Sequence, residues 1–128
     1  MLEIGIKGRL TETVTEEKTA GAYGSGILRV YATPAMIALM EHTALLSVAP
    51  YLEDGMTTVG TSLNIKHTAP SVVGSGITCE SELIEIDRRR LVFRVTAYDG
   101  AGEIGSGTHE RFIVDCDKFF IKAEERAK

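Results

Sequence analysis

Thr33-Pro34-Ala35-Met36-Ile37-Ala38-Leu39-Met40-Glu41-His42-Thr43-Ala44-Leu45-Leu46-Ser47-Val48-Ala49-Pro50 carries the clearest structural signal in this chain. Thr33 suits an N-cap, and Pro34 suits the first helical position, where a missing N–H costs nothing. The run from Ala35 to Ala49 is rich in strong helix formers, and Pro50 with Gly55 ends it. Nearly every side of the predicted helix is apolar, so it is expected to be buried all round. A sheet wrapped around one central helix would bury it that way.

The flanking sequence supplies such a sheet. Residues 3–15 mix β-branched and charged side chains and read as a first strand, with a break near Gly8. Residues 16–26 are polar and Gly-rich and read as a loop, followed by a short strand over residues 27–31. Residues 57–67 alternate, with Val59, Leu63, Ile65 and His67 on one face and Gly60, Ser62, Asn64 and Lys66 on the other. Ala69-Pro70 and Gly74 mark a connection. Two more strands, residues 76–86 and 91–98, flank Asp87-Arg88-Arg89-Arg90. Asp99-Gly100 predicts a hairpin turn into a last long strand over residues 103–114. The charged tail, residues 118–128, forms a short helix or frays. Five or six antiparallel strands with one long apolar helix make an α+β chain, and the arrangement they suggest is the hotdog fold. Residues 1–128 read as a single domain without repeats or linkers. An exposed edge strand invites pairing, so a homodimer is expected, or a tetramer built from it.

Composition narrows the function. The chain has 128 residues, 44% hydrophobic and 25% charged, with a net charge of −4. That balance opposes a general nucleic-acid binder, which needs a basic face for phosphates, although Arg88-Arg89-Arg90 is a local basic patch. The longest apolar run, Ala35 to Met40, is too short to span a membrane. Cys79 and Cys116 match no metal-ligand spacing and read as free thiols of a reducing, cytoplasmic setting. Neither a cofactor nor a metal is implied.

Three polar side chains stand out. Glu41 lies inside the apolar helix surface with no Lys or Arg near it in sequence. A buried, unpartnered carboxylate is costly, its pKa should rise, and proteins keep such groups mainly where function uses them. The plain alternatives are that Glu41 leans into water or pairs with a distant Arg. Thr33, a little over two turns earlier, is a helix cap on its own, yet helix N-termini also stabilise a developing oxyanion. His67 continues the buried face of its strand, where a lone His is more often a hydrogen-bonded core residue than a catalyst. The patterns around His42 and His109 give them no distinguishable role. No Gly-x-Ser-x-Gly elbow precedes a helix, because Gly24-Ser25-Gly26, Gly74-Ser75-Gly76 and Gly105-Ser106-Gly107 sit in loop or strand contexts. The first of these also lacks a phosphate-loop Lys. Carboxylate and imidazole chemistry is what remains.

The segments Ala32 to Glu41, Ala49-Pro50-Tyr51-Leu52, Val59-Gly60-Thr61, Lys66-His67-Thr68-Ala69 and Asp99-Gly100 through Ile104-Gly105-Ser106-Gly107-Thr108-His109-Glu110-Arg111 resemble the hotdog thioesterases related to fluoroacetyl-CoA thioesterase. The resemblance covers nearly the whole chain in one order. It implies an acyl-CoA thioesterase whose catalytic Thr, Glu and His are Thr33, Glu41 and His67. It also implies that Gly60 and Arg111 contact the substrate, an acyl-CoA ester. Pro34 stands where a Gly can follow the family's catalytic Thr, and Ile27 falls near where fluoroacetyl-selective members place an aromatic lid. Thioester hydrolysis is therefore implied, without fluoroacetyl selectivity. Two rivals remain: an acyl-thioester hydratase or dehydratase on the same fold, and a module that binds acyl-CoA without turning it over.

Overall fold

The computed structural model describes residues 1–128. Five strands, β1 (Lys7–Thr13), β2 (Met56–His67), β3 (Gly76–Asp87), β4 (Arg90–Asp99) and β5 (Gly102–Asp115), form one antiparallel sheet in the order β1-β3-β4-β5-β2. A four-residue helix α1 (Ala20–Tyr23) precedes the long α2 (Thr33–Val48), and α3 (Cys116–Arg126) follows β5. The sheet curls around α2, which packs on β1, β2, β3 and β4. That is the hotdog arrangement.

The core follows from helical periodicity. Met36, Leu39, Met40, Ala44 and Val48 recur at three- and four-residue steps and are buried. They belong to one cluster with Leu83, Leu91, Phe93, Val95, Ala97 and Ile104 of the sheet. Each large apolar side chain fully buried there is worth roughly 1.5–3 kcal/mol.

Several expectations need correction. The helix is not buried all round in the single chain: Ala38 and His42 are exposed, and Leu46 is 45% exposed. One sheet covers one side of a cylinder, and the other side stays bare. Ala32, not Thr33, caps α2, and no side chain accepts a bond from its first turn. Pro34 does lie in that turn, as expected. Residues 27–31 form no strand, only the isolated bridges Thr19↔Tyr31 and Val30↔Val72. The segment read as a loop contains α1 and a 3₁₀ turn, Glu16–Lys18. The first strand is unbroken from Lys7, because Gly8 serves packing instead. A β-carbon there would lie 2.7 Å from Ser47 Cβ and 2.9 Å from the Thr43 carbonyl oxygen, so only glycine lets α2 approach β1 this closely.

One irregularity positions the site. In the β2–β5 ladder Gly60 pairs with Arg111 and Ser62 with Glu110, which leaves Thr61 as an extra residue. Such a bulge reverses the alternation of the strand. Gly60 and Leu63 therefore share the helix-facing side, whereas simple alternation had separated them.

Candidate active site

Two polar clusters lie along α2. At its N-terminus, Thr33 Oγ1 is 2.8 Å from His67 Nδ1. Thr33 opens the helix and His67 closes β2, so the contact joins two element ends 34 residues apart. Because Thr33 spends no oxygen on capping, its hydroxyl is available to the imidazole. His67 Nε2 is buried and has no hydrogen-bond partner. The nitrogen that can exchange a proton with a ligand is thus Nδ1, through or beside the Thr33 hydroxyl. Burial pushes the His67 pKa below its ordinary value, opposed by the Ala69 backbone, which favours a neutral ring that can act as a base. Tyr31 presents its ring to His67 at 83°, with centroids 6.3 Å apart. Its hydroxyl donates to Glu12, whose other oxygen takes Lys18 Nζ at 2.5 Å. A cavity of about 300 Å³ opens beside this pair, lined by Val30, Tyr31, Thr33, His67, Thr68 and Pro70 among others.

The second cluster surrounds Gly60. Glu41 Oε2 lies 2.5 Å from where a β-carbon of that glycine would stand, with His109 Cε1 at 3.2 Å and Arg111 Nη1 at 3.5 Å from the same point. Arg111 is buried, and its Nε donates to Thr58 Oγ1 at 2.7 Å. Its Nη2 donates to the Thr58 carbonyl at 2.8 Å, and its Nη1 reaches His109 Nε2 at 3.0 Å. Glu41 Oε2 is 3.8 Å from Nη1, close enough for an ion pair. Burial pulls the Arg111 pKa down and the Glu41 carboxylate opposes this.

Glu41 is therefore not an unpartnered buried acid. Its side chain is 39% exposed and its partner is Arg111. The chain brings Thr33 to His67, and separately brings Glu41 to Gly60 and Arg111. It makes no hydrogen bond between Glu41 and either Thr33 or His67. Eight residues of α-helix separate Thr33 from Glu41, about 12 Å along the axis. Sequence reasoning gave His109 no role and missed Tyr31 and Glu12. For His109 the available signal was its i, i+2 spacing to Arg111, which puts both on one face of β5. No group of three or more His, Cys, Asp and Glu side chains is placed to hold a metal ion.

The sequence profile of FlK, fluoroacetyl-CoA-specific thioesterase, matches residues 14–117. The chain belongs to the fluoroacetyl-CoA-specific thioesterase family. It is 43% identical to the fluoroacetyl-CoA thioesterase of Streptantibioticus cattleyicolor over 97 residues, 76% of this chain and 70% of that protein. A solved structure of an FlK variant in complex with acetyl-CoA superposes with a TM-score of 0.94 at 34% identity, covering 99% of this chain and 100% of that one. A Thermus thermophilus protein described as a thioesterase superfamily member gives a TM-score of 0.88 at 27% identity, covering 98% and 96%. Membership in the fluoroacetyl-CoA-specific thioesterase family makes this protein a thioester hydrolase on a hotdog fold.

Proposed function

We propose that the protein hydrolyses short-chain acyl-CoA esters with Thr33, Glu41 and His67 as its catalytic groups and Gly60 and Arg111 as substrate contacts. The observation that carries this reading is the Glu41 carboxylate held against the bare backbone of Gly60, beside a pinned Arg111. A thioester carbonyl laid there meets a base or nucleophile on one side and a cationic N–H donor on the other. Glu41 drives attack on the carbonyl carbon, directly or through a water that it deprotonates. On direct attack the carbon–sulfur bond breaks and a water then cleaves the Glu41 anhydride, freeing the acid and Glu41. In either route the proton lost by the water passes through the neutral His67 and the Thr33 hydroxyl to the departing thiolate.

The offset of about 12 Å between the two backbones along one helix, with no hydrogen bond joining the clusters, favours a site to which two chains contribute. We assign the homodimer that role: Glu41 of one protomer works with the Thr33–His67 pair of its partner. Supporting this, β2 is an edge strand with Leu63 38% exposed, and the bare side of α2 presents Leu46. Pairing β2 edges would close the sheet and cover both features. A tetramer would be two such dimers. The small residues Ala35 and Ala44 in the core and the modest cavity favour a short acyl group. No fluoroacetyl selectivity is expected, since Ile27 stands near the aromatic lid position of selective members. The free thiols Cys79 and Cys116 favour the cytoplasm, and no helix is long and apolar enough to cross a membrane.

The test is thiol release from acetyl-, propionyl-, butyryl- and octanoyl-CoA by wild type and Glu41→Gln. Release is expected to be fastest with the shortest esters and to fall roughly 10²–10⁴-fold in the variant. An undiminished rate in Glu41→Gln overturns the mechanism. Consumption of an enoyl-CoA without thiol release would favour a hydratase, and binding without turnover a binding module.

A further inference from the structure

His109 is a fully buried imidazole that the mechanism above does not use. Its Nδ1 is 3.0 Å from the Ser62 carbonyl oxygen, and its Nε2 is 3.0 Å from Arg111 Nη1. A carbonyl only accepts hydrogen bonds, so Nδ1 must carry the proton. A guanidinium only donates, so Nε2 must be bare. Together the two contacts allow one state of the ring, the neutral Nδ1–H tautomer. An imidazolium would set N–H against N–H at 3.0 Å.

The consequence falls on Arg111. Its Nε and Nη2 are fixed by Thr58 on β2, and one N–H of Nη1 is taken by His109. One N–H of Nη2 and the second N–H of Nη1 remain, and it is Nη1 that lies 3.5 Å from where a β-carbon of Gly60 would stand, the space that Glu41 borders. Glu41, at 3.8 Å, is too far to hold the guanidinium in place by a hydrogen bond. The strands aim this donor, not the acid. We propose that His109, as the neutral Nδ1–H tautomer, is a positioning residue that directs the free Nη1–H of Arg111 at the thioester carbonyl oxygen.

The charged groups facing the ring are Arg111 from β5 and Glu41 from α2. β2 offers the Ser62 carbonyl, and β4 offers only the Phe93 ring, with centroids 6.4 Å apart. Burial is the largest influence on His109 and pushes its pKa down. The Ser62 carbonyl raises it, Arg111 lowers it and Glu41 raises it. The neutral state required by geometry is thus also the one favoured by its surroundings.

This role rests on the thioesterase reading, and two measurements separate the two. The first uses no substrate: ¹⁵N NMR of the imidazoles in the intact protein. His109 is expected to show a protonated Nδ1 and a bare Nε2 from pH 8 down to pH 7. An Nε2–H tautomer or an imidazolium in that range overturns the proposal. The second is a double-mutant cycle on acetyl-CoA hydrolysis. His109→Phe removes the acceptor while keeping a flat ring, and is expected to cost about 10²-fold in kcat/KM, the scale of one misaimed oxyanion donor. In an Arg111→Ala background the same change should cost less than about 3-fold, because the group it positions is gone. His109→Gln, which can return an acceptor oxygen to the Nε2 position, should recover activity to within about tenfold of wild type. Equal losses in both backgrounds, or no rescue by Gln in a folded protein, overturn the role. Wild type that hydrolyses no acyl-CoA sinks the thioesterase reading, and the NMR result then decides the His109–Arg111 contact by itself.

Discussion

Glu41 occupies the space that any side chain at Gly60 would need: a β-carbon there would stand 2.5 Å from the carboxylate oxygen Oε2. The nearest atom is the end of a flexible side chain, so the fold can absorb an added methyl by moving the acid. Gly60→Ala is accordingly expected to change stability by less than about 1 kcal/mol, the usual scale where no core or cap is lost. The acid would be displaced by about an ångström, and kcat/KM should fall roughly 10²-fold. Urea unfolding and steady-state kinetics on one preparation check both halves. A variant that keeps wild-type turnover would show that Glu41 is not the working group.

Thr33 gives a similar separation of activity from stability. A true N-cap loses about 1 kcal/mol or more when its oxygen is removed. Thr33 Oγ1 instead meets His67 Nδ1, and Ala32 holds the cap position. Thr33→Val should leave the unfolding midpoint nearly unchanged while thioesterase activity drops by about 10²-fold or more, as for loss of a positioned proton-transfer partner. Thr33→Ser keeps the hydroxyl and should retain most of the rate. A large stability loss with normal turnover would restore the capping role.

Acid should weaken the fold before any carboxylate is reached. His67 and His109 both have pKa values pushed below 6.5, chiefly by burial. The unfolded chain therefore takes up protons first as pH falls. Stability is complete above about pH 6.5 and declines as the pH falls below it. The lowered carboxyls of Glu110 and Asp99, whose ordinary values are 4.5 and 3.8, act only at lower pH. Urea midpoints at pH 7.5 and 5.5 should differ in that direction, and less so in His109→Gln. A midpoint that rises on acidification would contradict both assignments.

The glycines of the last strand are not interchangeable with those of its turn. At Gly107 a β-carbon would lie 2.0 Å from the Asn64 carbonyl oxygen, and at Gly105 2.8 Å from that of Lys66. Backbone cannot yield as a side chain end can. Gly107→Ala is expected to cost about 3 kcal/mol or more by forcing β2 away from β5, in the range of severe single substitutions. Gly100, in the β4–β5 turn, has nothing within 4 Å, and Gly100→Ala should be close to neutral. Thermal melts of the two variants side by side make the comparison.

Legibility in the sequence followed the range of the interactions. The long helix, read over Ala35 to Ala49 and observed from Thr33 to Val48, and four long strands were found close to their observed bounds, because a Pro in the first turn, alternating side chains and an Asp-Gly turn act over a few residues. The tail helix was half seen; it begins at Cys116, where Asp115 accepts from the Lys118 N–H at 3.0 Å. Glu41 was visible for the same local reason, a charge inside an apolar run. The short strand over residues 27–31 failed because a mostly apolar run without a continuous partner makes no ladder.

By itself, the sequence determined the long helix, the four long strands, the hotdog class they belong to and the polar side chains singled out as candidates. Only the tertiary structure decided how those side chains are partnered. The bulge at Thr61 turned Gly60 toward the helix, Arg111 came from a distant strand to meet Glu41, and Thr33 spent its hydroxyl on His67 instead of on a cap. Local periodicity is a property of neighbouring residues and survives in a linear string. Strand phase and ion pairing depend on which backbones come to lie beside each other, and that is fixed only when the sheet closes around α2.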